Sequence, residues 1–401
     1  MIRETKRLDE IGTIVTGTTP HSSLLHSDAR AGIPFLTPTD IQHRELFTVT
    51  ERFLAEDAAA QFSTRLLPVG ATAVTCIGAS IGKTTMTKVV SLTNQQVNSV
   101  IPFPDYDQRF VYYSTLTVVD HFADIAGGSA TPILNKSAFS EIRIPVAPIN
   151  TQKGIALVLG SLDAKIEANQ LAIRAGHDLL LALYKATPKH TTESFEQVCG
   201  VFGGSTPSTK RSEFWGGGIQ WATPTDLTAL KGPWLTGTER TITDAGLQSM
   251  SSSLHPEGSI LMTSRATIGS VALAAEPVAT NQGFIVVRAS EELTPWIFCQ
   301  FQDRVHEFEA WSNGATFLEL SRGNFKKLPF YRAEPGALET FNQEAWPILR
   351  MCKAKQAENL TLTKTRDELL PLLMSGKITV KDAEQEANAA GADIASEENK
   401  A

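Results

Sequence analysis

Apolar side chains recur along residues 152–186 at steps that alternate between four and three positions. The stripe consists of Ile155, Leu159, Leu162, Ile166, Asn169, Ile173, Gly176, Leu180 and Leu183. This spacing is typical of the seam of a coiled coil. Asn150 or Thr151 is suited to cap the start of the helix, and Pro188 to end it. At about 1.5 Å per residue, the pattern predicts a helix of roughly 50 Å.

A second long helix is predicted over residues 338–375, with Gly376 as its stop signal. A shift of 190 positions places Asn359 opposite Asn169. Its seam is more polar than that of the first helix and includes Gln356, Thr363 and Arg366. A buried Asn in each seam fixes helix register at a cost in stability. We therefore expect the helices to pair as an antiparallel coiled coil. The alternative is that each packs on its own globular part.

The stretches that precede the two helices are rich in Gly, Pro and Thr. Short β-branched runs such as 72–75 and 284–287 predict strands between turns. A shift of about 187 positions aligns the two stretches in five successive blocks. These are G-T-T-P at 17 with G-S-T-P at 204, T-P-T-D at 37 and 223, S-I-G at 80 with T-I-G at 267, N-Q at 94 and 281, and S-A-T at 129 with G-A-T at 314. Five matches in the same order indicate a duplicated unit.

The repeat and the helices together predict an α+β protein. Two tandem domains of mixed α/β structure are separated by two long helices, with a pseudo-two-fold axis relating the halves. The predicted boundaries are 1–150 for the first domain, 151–190 for the first helical spacer, 191–336 for the second domain and 337–380 for the second helical spacer. Residues 381–401 are rich in Ala and Glu without an apolar stripe, so we expect a flexible tail.

Composition narrows the class of protein. With 42% apolar residues in 401, the chain can bury hydrophobic cores. It has neither an apolar run near the roughly 18 residues of a membrane span nor a signal-peptide core at its start. Four dispersed cysteines without a C-x-x-C pair argue against a zinc ribbon and a disulfide-stapled fold, so we expect a soluble cytoplasmic protein. The net charge of −7 argues mildly against nucleic acid as a partner.

The segment Gly78–Thr84 resembles a phosphate-binding loop. It has three residues between its glycines where the motif needs four, and its repeat partner at 265–270 lacks the lysine, so a tight turn is the simpler interpretation. The sequence contains no methyltransferase tetrapeptide and no H-x-x-H or H-E-x-x-H metal-binding spacing. We therefore expect no catalytic residue and no metal site in this chain. The alternative is a self-sufficient nuclease or ATPase that uses Gly82-Lys83-Thr84.

Short polar and basic side chains surround the repeated blocks, and such side chains contact base edges and phosphates in DNA complexes. For each Thr the alternative is a turn or strand residue, and for each Lys a solvated surface. The candidate DNA-binding residues are Thr37, Thr39, Ser80, Lys83, Lys88, Asn94, Gln95, Gln96, Lys210, Arg211, Thr223, Thr225, Arg265, Thr267, Asn281, Gln282, Arg322, Lys326 and Lys327. Asn169 and Asn359 are the candidates for setting helix register.

These patterns resemble the DNA-specificity subunit of type I restriction–modification systems. The resemblance is carried by the repeat of an approximately 150-residue domain plus a long helix, and by the ordered blocks. It is also carried by the helix strings L-D-A-K-I-E-A-N at 162–169 and T-R-D-E-L-L-P-L-L-M-S-G-K-I at 365–378. It covers about residues 8–380. The chain departs from the family at Thr151-Gln152, where Glu-Gln is usual, and at 333–336, where a Pro-x-x-Pro exit is usual.

The resemblance implies two target-recognition domains, each reading one half of a bipartite, asymmetric double-stranded DNA sequence, with the helices setting the gap. It also implies two adenine methyltransferase subunits and motor-nuclease restriction subunits as partners in phage defence. S-adenosylmethionine, ATP and Mg²⁺ would enter through these partners, so this chain would hold no cofactor and contact no membrane. The remaining alternative is a coiled-coil scaffold that joins other proteins.

Overall fold

Contacts along the chain define two units. The computed structural model describes residues 4–28, 32–126, 132–265, 267–312 and 319–394. The first unit comprises Met1–Lys165 and Thr361–Ala401, and the second comprises Ile166–Leu360. This division differs from the predicted one, because each long helix contributes residues to both units.

The first unit contains short strands arranged in three sheets. Its strands are β1 (Glu4–Arg7), β2 (Gly12–Thr16), β3 (Leu25–His26), β4 (Gly32–Leu36), β5 (Phe53–Ala55), β6 (Thr72–Thr75), β7 (Thr84–Met86), β8 (Leu92–Thr93), β9 (Val97–Pro102) and β10 (Arg143–Val146). Its helices are α1 (Leu8–Ile11), α2 (Gln108–Leu116), α3 (Phe122–Ile125), α4 (Lys136–Glu141) and the start of α5 (Ile149–Ala186). The strand orders are β2-β9-β6-β7, β3-β5-β4-β8 and β1-β10.

The second unit has a similar set of elements. Its strands are β11 (Lys189–Ser194), β12 (Gly200–Gly203), β13 (Trp215–Ala222), β14 (Trp234–Leu235), β15 (Arg240–Ile242), β16 (Ile260–Thr263), β17 (Val271–Ala274), β18 (Val278–Thr280), β19 (Phe284–Arg288) and β20 (Pro329–Ala333). Its helices are α6 (Phe195–Val198), α7 (Pro224–Thr228), α8 (Asp244–Gln248), α9 (Thr294–Asp303), α10 (Val305–Ala310), α11 (Arg322–Lys327) and the first part of α12 (Pro335–Ser375). The strand orders are β12-β19-β16-β17-β14, β15-β13-β18 and β11-β20.

The two units share one topology. The antiparallel order β2-β9-β6-β7 of the first unit matches β12-β19-β16-β17 of the second. The parallel pair β4–β8 likewise matches the parallel pair β13–β18. Both β-branched runs singled out from the sequence are strands. The repeated sequence blocks therefore correspond to a repeated fold, which confirms the predicted duplication and the α+β class.

The ends of the long helices differ from the predicted ones by a few residues. The Gln152 N–H donates to the Pro148 carbonyl at 3.0 Å, so Asn150 and Thr151 lie inside the first turn and do not cap it. The predicted spacer 151–190 is corrected to Ile149–Ala186, since β11 already begins at residue 189. The second helix begins at Pro335 and not at residue 338, and it ends at Ser375, where Gly376 has a φ of 70° as the sequence predicts.

Residues of the two long helices contact each other within each unit. In the first unit, Arg366 Nη1 donates to Asp163 Oδ1 at 2.6 Å. In the second unit, Asn169 Nδ2 donates to Asn359 Oδ1 at 2.9 Å, and the Cys352 thiol lies beside the carbonyl of Ile173. Since the contact on α12 moves from 359 to 352 as α5 advances from 169 to 173, the helices run antiparallel there. The two seam asparagines are thus direct partners.

A large aromatic core fixes the second unit around α9. Phe195 stacks on Phe325 with ring centroids 4.6 Å apart, and both rings are fully buried. Trp296 of α9 lies 4.6 Å from Tyr184 of α5 and 5.2 Å from Phe341 of α12. Buried aromatic pairs add to the stabilisation from area burial. The core of this unit therefore holds segments of both long helices.

The segment after α12 corrects the prediction of a flexible tail from residue 381. Val380–Ala389 forms helix α13, with Thr379 and Asp382 in a capping box. Ala383 and Ala387 are fully buried in the first unit. The prediction was wrong for this helix because alanine, although small, is enough to pack a helix closely against its neighbours. Within the described part of the chain, no helix is both long and apolar enough to cross a membrane.

Candidate nucleic-acid interface

The T-P-T-D blocks make the same threonine–aspartate hydrogen bonds in both units. The N–H and Oγ1 of Thr223 donate to Asp226 Oδ2 at 2.7 and 2.6 Å, and those of Thr37 donate to Asp40 Oδ2 at the same two distances. Both hydroxyl protons are therefore used within the block, by Thr37 in a turn and by Thr223 at the start of α7, so neither is left to donate to DNA. The exposed threonines of the two blocks are Thr39 and Thr225.

The first glycine of each G-[ST]-T-P block lies directly against the N-Q block. A Cβ on Gly204 would lie 2.1 Å from the carbonyl oxygen of Asn281, and a Cβ on Gly17 would lie 2.1 Å from that of Asn94. No larger residue fits so close to backbone. Both asparagine side chains accept hydrogen bonds from the backbone N–H two residues further on, at 3.0 and 2.8 Å. The asparagines therefore shape the loop on which the next residue is presented.

A threonine–glutamine hydrogen bond joins these two blocks in each unit. Thr206 Oγ1 donates to Gln282 Oε1 at 2.6 Å, and Thr19 Oγ1 donates to Gln95 Oε1. Both glutamines are exposed, whereas the next residue in the first unit, Gln96, is half-buried. An amide held through its oxygen keeps its N–H₂ group for donation, which suits a base-edge or phosphate acceptor.

The S-I-G and T-I-G blocks are matching turns. Gly82 and Gly269 have φ values of 89° and 91°, which favour glycine. In each turn a strand threonine hydroxyl donates to the carbonyl of the first block residue, which is Ser80 or Thr267. The same strand hydroxyl accepts the N–H of Lys83 at 3.1 Å in the first unit. The repeated feature is therefore the turn itself.

The amide groups of this turn argue against phosphate binding. The Gly82 N–H donates to the Thr75 carbonyl at 3.0 Å, and the Lys83 N–H donates to the Ser80 carbonyl at 3.2 Å. A phosphate-binding loop instead directs such N–H groups at its ligand. The nuclease or ATPase alternative built on Gly82-Lys83-Thr84 consequently has no support from the geometry.

A groove in the second unit brings three of the candidate residues together. It has a volume of about 350 Å³ and contains Arg265, Gln282 and Arg322 among its lining residues. Arg265 pairs with Glu319 at 2.8 Å, with both side chains more than two-fifths exposed. Arg322 is exposed on α11 and packs over Gly203, where a Cβ would lie 3.0 Å from its side chain. Two guanidinium groups beside an amide match the acceptors of phosphates and guanine edges.

The equivalent place in the first unit carries different side chains. The Leu320 N–H donates to the Ser264 carbonyl, and in the first unit the Leu134 N–H donates to the Cys76 carbonyl in the same way. The following bridge joins Arg265 to Glu319 in the second unit but Ile77 to Ile133 in the first. Arg322 lies three residues before Phe325. Three residues before the equivalent Phe139, the first unit has Lys136. The two units therefore present different chemistry at one structural position.

The other basic candidates do not line this groove. Arg211 pairs with Glu213 at 2.7 Å and stacks on Phe214, next to the exposed Lys210. Lys88 lies 5.3 Å from the ring of Phe47. Lys326 and Lys327 occupy the last turn of α11. The S-A-T block at 129 and the G-A-T block at 314 fall outside the described residues. Glu319, which pairs with Arg265, is not among the residues predicted from the sequence, although the repeat places this charged residue opposite Ile133.

Cysteine chemistry and metal binding receive no support from the described residues. Burial raises the pKa of the Cys76 thiol to about 11 and that of Cys199 to about 12, so both stay protonated and unreactive near neutral pH. Within the described ranges, no group of three or more His, Cys, Asp or Glu side chains is placed to hold a metal ion.

His255 makes the stability of the second unit sensitive to mild acid. Its Nδ1 accepts from Arg288 Nη2 at 2.9 Å, and burial together with that cation lowers its pKa to about 4. Below pH 6.5 the unfolded chain binds a proton that the folded unit does not, so the free energy of unfolding falls between pH 6.5 and 4. We expect a loss of up to about 3 kcal/mol.

Urea unfolding at pH 7 and pH 4.5 measures this loss. His255→Asn keeps an acceptor for Arg288 without titrating, so the pH dependence should shrink. His306→Gln, at a fully exposed histidine, should keep it. An unchanged pH dependence in His255→Asn would contradict the prediction.

Comparisons with known proteins agree with this geometry. Residues 3–175 and 191–331 match the type I restriction modification DNA specificity domain. The chain is 39% identical over 139 residues to the type I restriction enzyme MjaIX specificity subunit of Methanocaldococcus jannaschii, covering 34% of this chain and 32% of that protein. It is 33% identical over 189 residues to the HindI specificity subunit of Haemophilus influenzae, covering 44% and 40%. The matched segments thus span well under half of either relative.

A solved structure has the same fold. The S subunit of a type I restriction–modification system from M. genitalium superposes with a TM-score of 0.57 and 13% identity, over 93% of this chain and 96% of that one. The two segments matched by the specificity domain together exceed half of the chain and fall on the two copies of the duplicated fold. The chain therefore belongs to the family of type I restriction–modification DNA specificity proteins.

Proposed function

We propose that this chain is the DNA-specificity subunit of a type I restriction–modification complex and that each unit reads one half of a bipartite sequence. The observation that carries the proposal is one fold, present twice, with different side chains at the equivalent groove position. Two domains of the same fold with different DNA-contacting side chains are expected to bind an asymmetric DNA sequence. Arg265, Gln282 and Arg322 are the reading or anchoring residues of the second unit.

In this proposal the helices α5 and α12 pair as a coiled-coil spacer that sets the gap between the half-sites. The hydrogen bond between Asn169 and Asn359 supports a fixed register, because a buried polar pair tolerates no slip without losing its partner. Pseudo-two-fold readers on a rigid spacer meet half-sites about one helical turn of DNA apart.

The chain itself is non-catalytic in this proposal. Two adenine methyltransferase subunits carry S-adenosylmethionine, and motor-nuclease subunits carry ATP and Mg²⁺. The relatives described above, each a specificity subunit of a type I restriction enzyme, support this division of work. Partner subunits also supply backbone contacts, which accounts for a net charge of −7 on a DNA-reading chain.

Mapping N6-methyladenine across the source genome, with and without the gene, tests the proposal. We expect one bipartite, asymmetric motif to lose methylation in the deletion strain and to regain it on complementation. Complementation with a chain whose residues 191–336 come from a related subunit should change one half of the motif and leave the other half and the spacing intact. A coiled-coil scaffold would alter neither half. An unchanged methylation map in cells that express the neighbouring methyltransferase would overturn the proposal.

A further inference from the structure

A buried ion pair crosses between the two long helices inside the first unit. Arg366 Nη1 of α12 donates to Asp163 Oδ1 of α5 at 2.6 Å, and the two residues are only 6% and 5% exposed. The Tyr113 hydroxyl, from α2, donates to the other carboxylate oxygen at 2.5 Å. Asp163 is thus held on one oxygen by the partner helix and on the other by the first unit's globular part.

The other two guanidinium nitrogens of Arg366 also donate hydrogen bonds. Its Nε and Nη2 donate to Asp367 Oδ1 at 3.1 and 2.9 Å, and Arg44 lies 3.9 Å from the same carboxylate. Burial raises the pKa of the Tyr113 hydroxyl, so it stays protonated as a donor to Asp163. A buried charge pair is tolerated only when its hydrogen bonds are complete, and separating the partners is costly. This arrangement therefore strongly favours one alignment of the helices.

The repeat shows that the ion pair belongs to the first unit alone. The 190-position shift makes Lys353 the equivalent of Asp163 and Gly176 the equivalent of Arg366. In the second unit Lys353 Nζ binds Glu257 at 2.6 Å, outside the helix pair. A Cβ on Gly176 would lie 2.9 Å from Met351 Cε and 3.4 Å from Cys352 Sγ. The equivalent layer of the second unit is therefore close-packed around glycine and has no such ion pair.

A shift of one long helix along the other by seven residues, in either direction, would separate the charges of Asp163 and Arg366. One slip places Asp163 beside Leu373, and the opposite slip places Arg366 beside Ala156. The apolar stripe itself tolerates such a slip, because a heptad repeat returns apolar residues to the seam. The ion pair, unlike the apolar contacts, distinguishes the observed alignment from its neighbours.

We propose that Asp163 and Arg366 are positioning residues that fix the register of α5 against α12, with Tyr113 tying that register to the first unit. The proposal rests on the proposed function to the extent that register then sets the spacing between half-sites. One heptad of helix is about 10 Å, so a slip moves the units by about three base pairs of DNA.

Two readouts on the full-length chain test the proposal, and one is independent of DNA. A Gly176→Cys substitution creates a reporter, because its sulfur would lie beside Cys352 in the observed register; the disulfide yield under mild oxidation then measures alignment. The second readout is the spacing of methylated half-sites when the chain is expressed with its methyltransferase. Reporter chains that also carry Cys352→Ser should form no disulfide at this position.

The decisive variant is Asp163→Leu with Arg366→Met, which replaces both charges by apolar groups of similar size. Such exchanges commonly leave a protein as stable or more stable. We expect a folded chain with a several-fold loss of reporter disulfide and more than one half-site spacing. A purely structural role predicts that a folded chain keeps full disulfide yield and one spacing, and that result would overturn the proposal.

Asp163→Asn supplies a second test if the double variant does not fold. The amide keeps the size of the side chain but removes its charge, so we expect reduced disulfide yield and relaxed spacing. Asp178→Asn is the matched control on the same helix, at a side chain that is 83% exposed, and it should change neither readout. If the wild-type chain directs no methylation, the proposed function fails, while the disulfide readout still decides whether these residues set the register.

Discussion

Replacing Arg265 and Arg322 together by alanine is expected to weaken specific DNA binding by about a hundredfold to a thousandfold. Each good arginine contact with a base edge or phosphate is worth about 1–3 kcal/mol, and the two guanidinium groups line one groove with Gln282. The fold should survive, since the exposed Arg265–Glu319 pair contributes at most about 1 kcal/mol to stability.

Titration of the methyltransferase complex with duplex DNA at several salt concentrations measures this effect. If the arginines bind phosphates, the slope of log affinity against log salt should fall by about one for each arginine. If the arginines contact bases, the slope should be unchanged and the sequence preference at one half-site should weaken. Arg350→Ala provides the matched control, because Arg350 is an exposed arginine of the same unit outside this groove. Unchanged affinity and unchanged preference in the double variant would exclude the groove as the DNA contact.

The Trp296→Ala variant is expected to lose about 3–5 kcal/mol of the free energy of unfolding of the second unit. The indole is fully buried, and its Nε1 donates to the Tyr331 carbonyl at 2.7 Å. Its ring contacts Tyr184 of α5 and Phe341 of α12. Removing it leaves a cavity at the junction of α9 with both long helices and takes one of two donors from the Tyr331 carbonyl, which keeps the one from Gln300 at 2.9 Å.

Urea unfolding measures the loss of stability. Hydrogen exchange of backbone amides then shows whether the loss is confined to the second unit. The protection of backbone amides from exchange should fall throughout the second unit and far less in the first unit. Trp311→Ala is the matched control, because that indole is 53% exposed, and it should cost under about 1 kcal/mol. A loss for Trp296→Ala as small as that of the control would show that α9 does not anchor this unit.

Local pattern determined the duplication and the long helices. The order of the sequence blocks indicates the repeat. The four-and-three spacing predicts the helical seam, and the equivalent positions of Asn169 and Asn359 predict their contact. Gly376 marks the end of α12 because a residue at positive φ closes the last turn without a Cβ clash. The helices depend on residues near one another in the chain, and the repeat and the asparagine pair follow from comparing its two halves, so all three can be inferred without coordinates.

Only the tertiary structure determined which polar side chains lie close together. Arg265, Gln282 and Arg322 come from three separate segments, and only the packing of α11 against the paired strands brings them to one groove. Thr37 and Thr223 match the DNA-binding composition, yet the hydroxyl of each donates to the aspartate of its own block. Asp163 lies beside the predicted seam and gains its partner Arg366 from 203 positions away. Such pairings follow from the packing of distant segments, which no local spacing encodes, whereas helices follow from the spacing of neighbouring residues and the repeat from the order of matching blocks.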